Sequence, residues 1–153
     1  MIESAELALW YALNRLMTDY WADVDDNGGR GAHEFYVPAG IYAIGTNRFE
    51  GRDKIEAFYA RRRYGTVLTR HVLSNTRAFG DDEIARLCGV MSLYRADSKS
   101  AFQGARPPAM IADFEARCVL GDDGGWRFQS HVLRPFIVGS DMPASIAIRP
   151  QAL

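Results

Sequence analysis

The sequence predicts an α+β fold: a curved, cone-shaped antiparallel sheet whose concave face is covered by N-terminal helices, with a pocket between the two layers. Three observations predict it. The first 25 residues carry apolar side chains at helical spacing. The second half holds long β-rich stretches separated by glycine–aspartate turns. The order is helix, strand, helix and then strands alone, which lacks the strand–helix alternation of a parallel sheet. At 153 residues the chain is read as one domain, 1–153, with a core over about 5–138 and an irregular tail from Gly139.

Residues 4–25 form the first predicted helix. Leu9, Leu13, Leu16, Met17, Tyr20 and Val24 make its apolar stripe, widened by Trp10 and Trp21. Ser4 is the expected N-cap, and Asn27-Gly28-Gly29 stops the helix. A helical turn over 33–36 precedes a strand over 41–46. Phe49-Glu50-Gly51-Arg52 leads into a second helix, 53–63, with Ile55, Phe58 and Tyr59 inward. Arg61-Arg62-Arg63 closes it, as cations favour a helix C-terminus. Strands follow over 66–79, 83–96 and 109–120. Gly80-Asp81-Asp82 makes a hairpin turn, and Pro107-Pro108 excludes helix from the longer connection. The last strand, 126–138, contains Pro135, which confines it to an edge or ends it early.

A net charge of -1 without a run of one sign excludes the basic face that nucleic acid requires. No apolar stretch approaches the ~20 residues of a membrane span, and no basic segment precedes an apolar run as in a signal peptide. Cys88 and Cys118 make neither a disulfide framework nor a zinc site. They are expected reduced, in the cytoplasm, and roughly opposite each other on the strands 83–96 and 109–120. The histidines lack metal-ligand spacing, and phosphate loops, nucleophile elbows and dinucleotide folds find no motif. No metal and no cofactor is therefore called for.

The residues suited to acid–base chemistry are few. His71 is the one histidine in a strand that reads as central, and imidazole titrates near neutral pH. It is either a base facing a pocket or a core histidine bonded to backbone. Ideal alternation gives it a face with Leu73, Asn75 and Arg77. Asp25 follows Trp21 and Met17 at helical spacing and leans inward, while Asp26 follows Ala22 outward. Tyr42 offers a phenol donor from the first strand. Asp113, Glu115 and Arg117 alternate as a solvated outer face does. His131 falls beside Arg127 and Gln129, on a face the pattern leaves open.

In combination these elements resemble the SnoaL-like, nuclear-transport-factor-like superfamily. Tyr20-Trp21-Ala22-Asp23-Val24-Asp25 is similar to its first-helix ending. Phe35-Tyr36, then Phe49-Glu50-Gly51-Arg52 with Ile55 and Phe58-Tyr59, match its approach to the first strand and second helix. Thr69-Arg70-His71 with Asn75 resembles its Arg-His-x-x-x-Asn strand, and Gly124-Gly125-Trp126-Arg127-Phe128 its last strand. The resemblance spans residues 5–138. It implies the aspartate–histidine pair of the scytalone dehydratase and lindane dehydrochlorinase members at Asp25 and His71. Tyr42, Trp21, Asn75 and Phe58 are then the substrate contacts. The dehydratase's second pocket histidine, on a middle strand, has no counterpart in 83–96.

Two readings follow. The first is a cofactor-independent lyase or isomerase that abstracts a proton from a small, largely apolar cyclic substrate. The second is a non-catalytic ligand-binding or assembly module of the same fold. Under either, a homodimer or larger assembly through the outer sheet face is expected, with Leu87, Val90 and Leu93 as candidate contacts.

Overall fold

The computed structural model describes residues 3–63, 65–97, 104–140 and 142. The first helix, α1, spans Ser4–Asn27 and buries Leu13, Met17, Tyr20, Trp21 and Val24. Glu3 rather than Ser4 stands at its N-cap, and no side chain caps that end. Trp10, counted in the apolar stripe, is 40% exposed and its indole N–H donates to Thr76 Oγ1 at 3.2 Å. The helix outlasts its predicted end by two residues. Gly28 and Gly29, both left-handed at φ 66° and 72°, close it with a Gly29 N–H···Asp23 O bond of 3.0 Å. The Asp23 carboxylate then accepts from Gly31 N–H at 3.0 Å and from the Asn27 amide at 2.7 Å, which fixes the exit path.

A 3₁₀ turn, Ala32–Phe35, leads into β1, Tyr36–Ile44. That strand begins five residues before the predicted start. The sequence reading also missed β2, Asn47–Glu50, which folds back on β1 as a hairpin. Helix α2 covers only Arg52–Ala60. The arginines beyond it lie in a tighter turn, with Arg62 N–H on Tyr59 O and Arg63 N–H on Ala60 O. Strands β3 (Leu68–Gly80), β4 (Ile84–Ala96), β5 (Met110–Leu120) and β6 (Trp126–Val138) complete a curved, open six-stranded sheet of order β2-β1-β6-β5-β4-β3. Every neighbouring pair is antiparallel except β1 with β6, which run parallel. The pairing of first and last long strands brings Tyr42 beside His131. Such long-range pairing leaves no mark in local periodicity.

Parity along the strands decides what faces the helices. In β5, Met110, Ala112, Phe114, Ala116 and Cys118 alternate into the core. In β4, Leu87, Met91 and Leu93 do the same, so Leu87 and Leu93 are core residues and cannot serve the outer face. The register pairs Cys118 with Ala85 and Cys88 with Glu115. The expected thiol neighbourhood is therefore wrong by three residues. An odd slip exchanges faces, and it leaves the two free cysteines on opposite sides of the sheet. Pro135 is also corrected. It lies in a strand interior to the sheet, past the last β1 pairing at Leu133, where a register shift opposite Ile111 and Ala112 absorbs the missing donor.

Two further bulges change parity. The register of β3 on β4 slips between Ser74 and Arg77, with Asn75 at φ 52°. Between Phe128 and Ser130, β6 carries one extra residue, Gln129, against β5. Phe128, His131 and Leu133 consequently all face inward and are buried.

Gly29 and Gly28 give a controlled comparison of this packing. A Cβ on Gly29 would lie 2.7 Å from Tyr59 Cγ, whereas one on Gly28 meets nothing closer than 3.7 Å. Gly28→Ala should cost only the left-handed backbone penalty, about 1–2 kcal/mol. Gly29→Ala should cost about 1–3 kcal/mol more through overpacking. Urea unfolding of the two variants measures the difference, and equal midpoints would contradict a tight Gly29–Tyr59 contact.

Candidate active site

The C-terminal end of α1 meets edge strand β3 at Asp25. Its Oδ2 accepts the His71 backbone N–H at 2.8 Å. Its Oδ1 accepts the Thr69 hydroxyl at 2.8 Å and His71 Nδ1–H at 2.7 Å. The side chains of His71 and Asp25 are 5% and 7% exposed, whereas that of Asp26 is 68% exposed and lies 3.4 Å from the Arg70 guanidinium. Helical phase thus puts one of two adjacent aspartates inside. The imidazole is held from a second direction by Trp21, stacked on it with centroids 3.8 Å apart and planes 9° from parallel.

Burial disfavours the Asp25 carboxylate. The hydrogen bonds and charge of His71, with the Thr69 hydroxyl, outweigh it and hold the acid below its usual range. For His71, burial dominates and lowers the pKa from 6.5. Asp25 opposes that shift, and the Arg62 guanidinium adds to it. At neutral pH the pair is a carboxylate beside a neutral imidazole. Nδ1 carries the proton that Asp25 accepts, so Nε2 bears the free lone pair.

His71 and Thr69 form part of the wall of a cavity of about 190 Å³. Tyr42 and Phe58 line it too, with Met91 and Leu133 among the apolar remainder. Of the predicted site residues, then, His71, Tyr42 and Phe58 line one cavity. Asp25 and Trp21 stand behind the imidazole. Asn75 is not brought there, because the β3 bulge turns it outward into a separate groove with Arg77, Cys88 and Asp113. Burial raises the Tyr42 phenol to about 12, so it remains a proton donor.

Sequence reasoning gave no site role to Thr69 or Arg62 and left the face of His131 open. Thr69 belongs to the Thr-Arg-His motif, but alternation alone gave it no role. Arg62 was read as a helix-end cation, yet it lines the cavity with Arg61 and donates to Thr69 Oγ1 at 3.0 Å. His131 is fully buried. It joins a hydroxyl network in which Tyr36 lies 3.3 Å from its Nδ1 and donates to Tyr20 at 3.1 Å, and Tyr20 in turn bonds Tyr59. Burial raises Tyr20, Tyr36 and Tyr59 well above the ordinary phenol range. The same burial, with repulsion from His71, lowers His131 to about 3. Its Nε2 has no hydrogen-bond partner among the described residues.

The model of the SnoaL-like domain family matches residues 5–132. Among solved structures, a protein of Novosphingobium aromaticivorans provisionally named a scytalone dehydratase superimposes with a TM-score of 0.74 at 19% identity. The match covers 93% of this chain and 99% of that one. ActVI-ORFA of Streptomyces coelicolor gives 0.72 at 13% identity, over 84% and 98%. A Catenulispora acidiphila protein in complex with S-DNPA gives 0.67 at 16%, over 84% and 94%. At these identities the likeness is one of fold. No curated protein matches the sequence. Among the described residues, no helix is long and apolar enough to cross a membrane.

His131 gives the site a pH signature. Its folded pKa, about 3, lies below the ordinary 6.5, so between those values the unfolded chain binds the extra proton. The stabilisation is complete above pH 6.5 and lost as pH falls towards 3, at about 1.4 kcal/mol per pH unit. Urea unfolding between pH 7 and 4 should show a shallower slope for His131→Gln than for the parent chain. Parallel slopes would mean that burial does not lower the His131 pKa.

Proposed function

The chain belongs to the SnoaL-like domain family, and on that premise we propose that it is a cofactor-independent lyase or isomerase acting on a small, largely apolar cyclic substrate. The observation that carries this reading is the 2.7 Å Asp25–His71 contact, nearly closed to water, at the wall of an apolar cavity. His71 Nε2 takes a proton from carbon next to a carbonyl or a leaving group. Asp25 keeps the imidazole in the required tautomer and stabilises the cation that forms. The Tyr42 phenol donates to the substrate oxygen or the departing group. A base positioned in this way contributes roughly 10²–10⁴ in rate.

Trp21 and Phe58 take part differently in this reading. Phe58 meets the substrate, and Trp21 fixes the imidazole plane from behind. Asn75 has no contact to offer from the outer groove. The relative solved with S-DNPA supports a small molecule as the partner. Two free thiols are compatible with a reducing compartment such as the cytoplasm.

Exposed apolar side chains at Val72, Phe79, Ile84, Tyr94 and Phe136 favour the assembly reading beside the catalytic one. We assign to them the contact of a homodimer or larger assembly. Sedimentation at high protein concentration tests it, and a persistent monomer rejects it.

Proton exchange or elimination on cyclic ketones, secondary alcohols and halides tests the chemistry. His71→Ala and His71→Gln should abolish turnover without unfolding the chain. Asp25→Asn should lose nearly as much, because a carboxamide does not stabilise the imidazolium. Tyr42→Phe should lose less. Turnover equal in the parent chain and His71→Ala would end this mechanism.

The pH profile has a definite sign. The base must be neutral, and its pKa lies below 6.5. Activity should rise with pH with its midpoint below pH 6.5, then stay level to pH 9, because Tyr42 titrates only at about 12. A midpoint above pH 6.5 would place the working group elsewhere.

A further inference from the structure

The cavity lining contains Arg61, Arg62 and Arg95 and, among the described residues, no carboxylate. The rest of the wall is mostly apolar, with Tyr42, Thr69 and His71 its polar members. The three guanidiniums differ in how far they are engaged. Arg95 lies 3.7 Å from Asp97. Arg61 is exposed at the rim. Arg62 is half-buried, with its guanidinium carbon 5.9 Å from the centre of the Tyr59 ring. It gives one hydrogen bond, to the neutral hydroxyl of Thr69, and forms no ion pair among the described residues. A guanidinium has five N–H donors in a planar fork, so most of its donors remain for a ligand. The carboxylate nearest along the hydrogen-bond chain, Asp25, is already taken by Thr69 and His71.

We propose that the cavity binds a monocyclic carboxylate, with the ring against Tyr42, Phe58, Met91 and Leu133 and the carboxylate on Arg62, assisted by Arg61. This deepens the catalytic reading, on which it rests for taking the cavity as the substrate site. Two facts select the ligand class. A cavity of about 190 Å³ suits one six-membered ring with a small substituent, since ~150 Å³ of apolar space already admits benzene. One guanidinium fork beside a second cation matches the two oxygens of a carboxylate in plane and in charge. Thr69 joins this binding group to the base. Its oxygen accepts from Arg62 while its proton goes to Asp25, so the head of the ligand would lie close to His71.

The test compares phenylacetate with its neutral isostere phenylacetamide, titrated into the protein at low salt and followed by amide chemical shifts and calorimetry. Phenylacetate should bind at least tenfold more tightly, and the preference should shrink as salt is added. Arg62→Gln should remove the preference, Arg61→Gln should weaken it, and Arg62→Lys should keep part of it. Equal affinities in the parent chain, no binding of either compound, or a preference that survives Arg62→Gln would overturn the proposal. The Lys variant and the salt series decide the matter if Arg62→Gln does not fold. His71→Ala separates this proposal from the catalytic one. It should keep the carboxylate preference while losing turnover. Loss of the preference with turnover still dependent on His71 would sink the ligand class alone. Turnover independent of His71 with the preference intact would sink the base alone.

Discussion

The meeting of the first helix with the sheet depends on one buried carboxylate accepting three hydrogen bonds. Asp25 sits in the last turn of α1, where the helix dipole disfavours negative charge. The compensation comes from β3, through the His71 amide, the His71 ring and the Thr69 hydroxyl. β3 is an edge strand, and the helix end occupies one of the backbone donors such an edge would otherwise leave open. The contact that docks the first helix on the sheet is therefore the same contact that orients the imidazole. Removing the carboxylate would leave buried donors unpaired as well as a ring without a fixed tautomer.

How much of this was legible from residues alone depended on the period of the element. The 3.6-residue period of α1 identified its buried face and separated Asp25 from Asp26 correctly, because a helix without a break keeps phase over six turns. Strand parity was less durable. It holds along β5, but a single extra residue reverses it, and two such residues lie where the site is built. Asn75 shares His71's face only if β3 is regular. His131 shares a face with Arg127 only if β6 is regular. Neither strand is. Gln129 gives no sign of its bulge, whereas Asn75, at φ 52°, is of a residue type that favours the left-handed region and is rare in regular strands. The strands β4 and β5 were placed within a residue of their observed ends, but the two cysteines were read as roughly opposite without a register being fixed, and they stand three residues apart in it. The parallel β1–β6 pairing joins segments almost ninety residues apart, beyond any local pattern.

The interior is more polar than the apolar stripe of α1 suggests. Tyr20, Tyr36, Tyr59 and His131 fill the space beneath the sheet with ring edges packed against ring faces, and their polar atoms bond mainly to one another. A network of this kind is worth its desolvation cost only when its members satisfy each other. Rings linked through their hydroxyls also have few alternative rotamers, which stiffens the layer between helix and sheet. The relatives of similar shape at 13–19% identity indicate that the backbone tolerates wide changes in what fills it. The chemistry of each must then be argued from its own interior.

The stack of Trp21 on His71 has an optical consequence. An indole stacked on an imidazole is its excited-state neighbour, and imidazolium quenches indole emission far more strongly than neutral imidazole does. Trp10 and Trp126 lie apart from that ring. The emission of Trp21 is thus a built-in indicator of the charge on His71, readable by titration without any ligand.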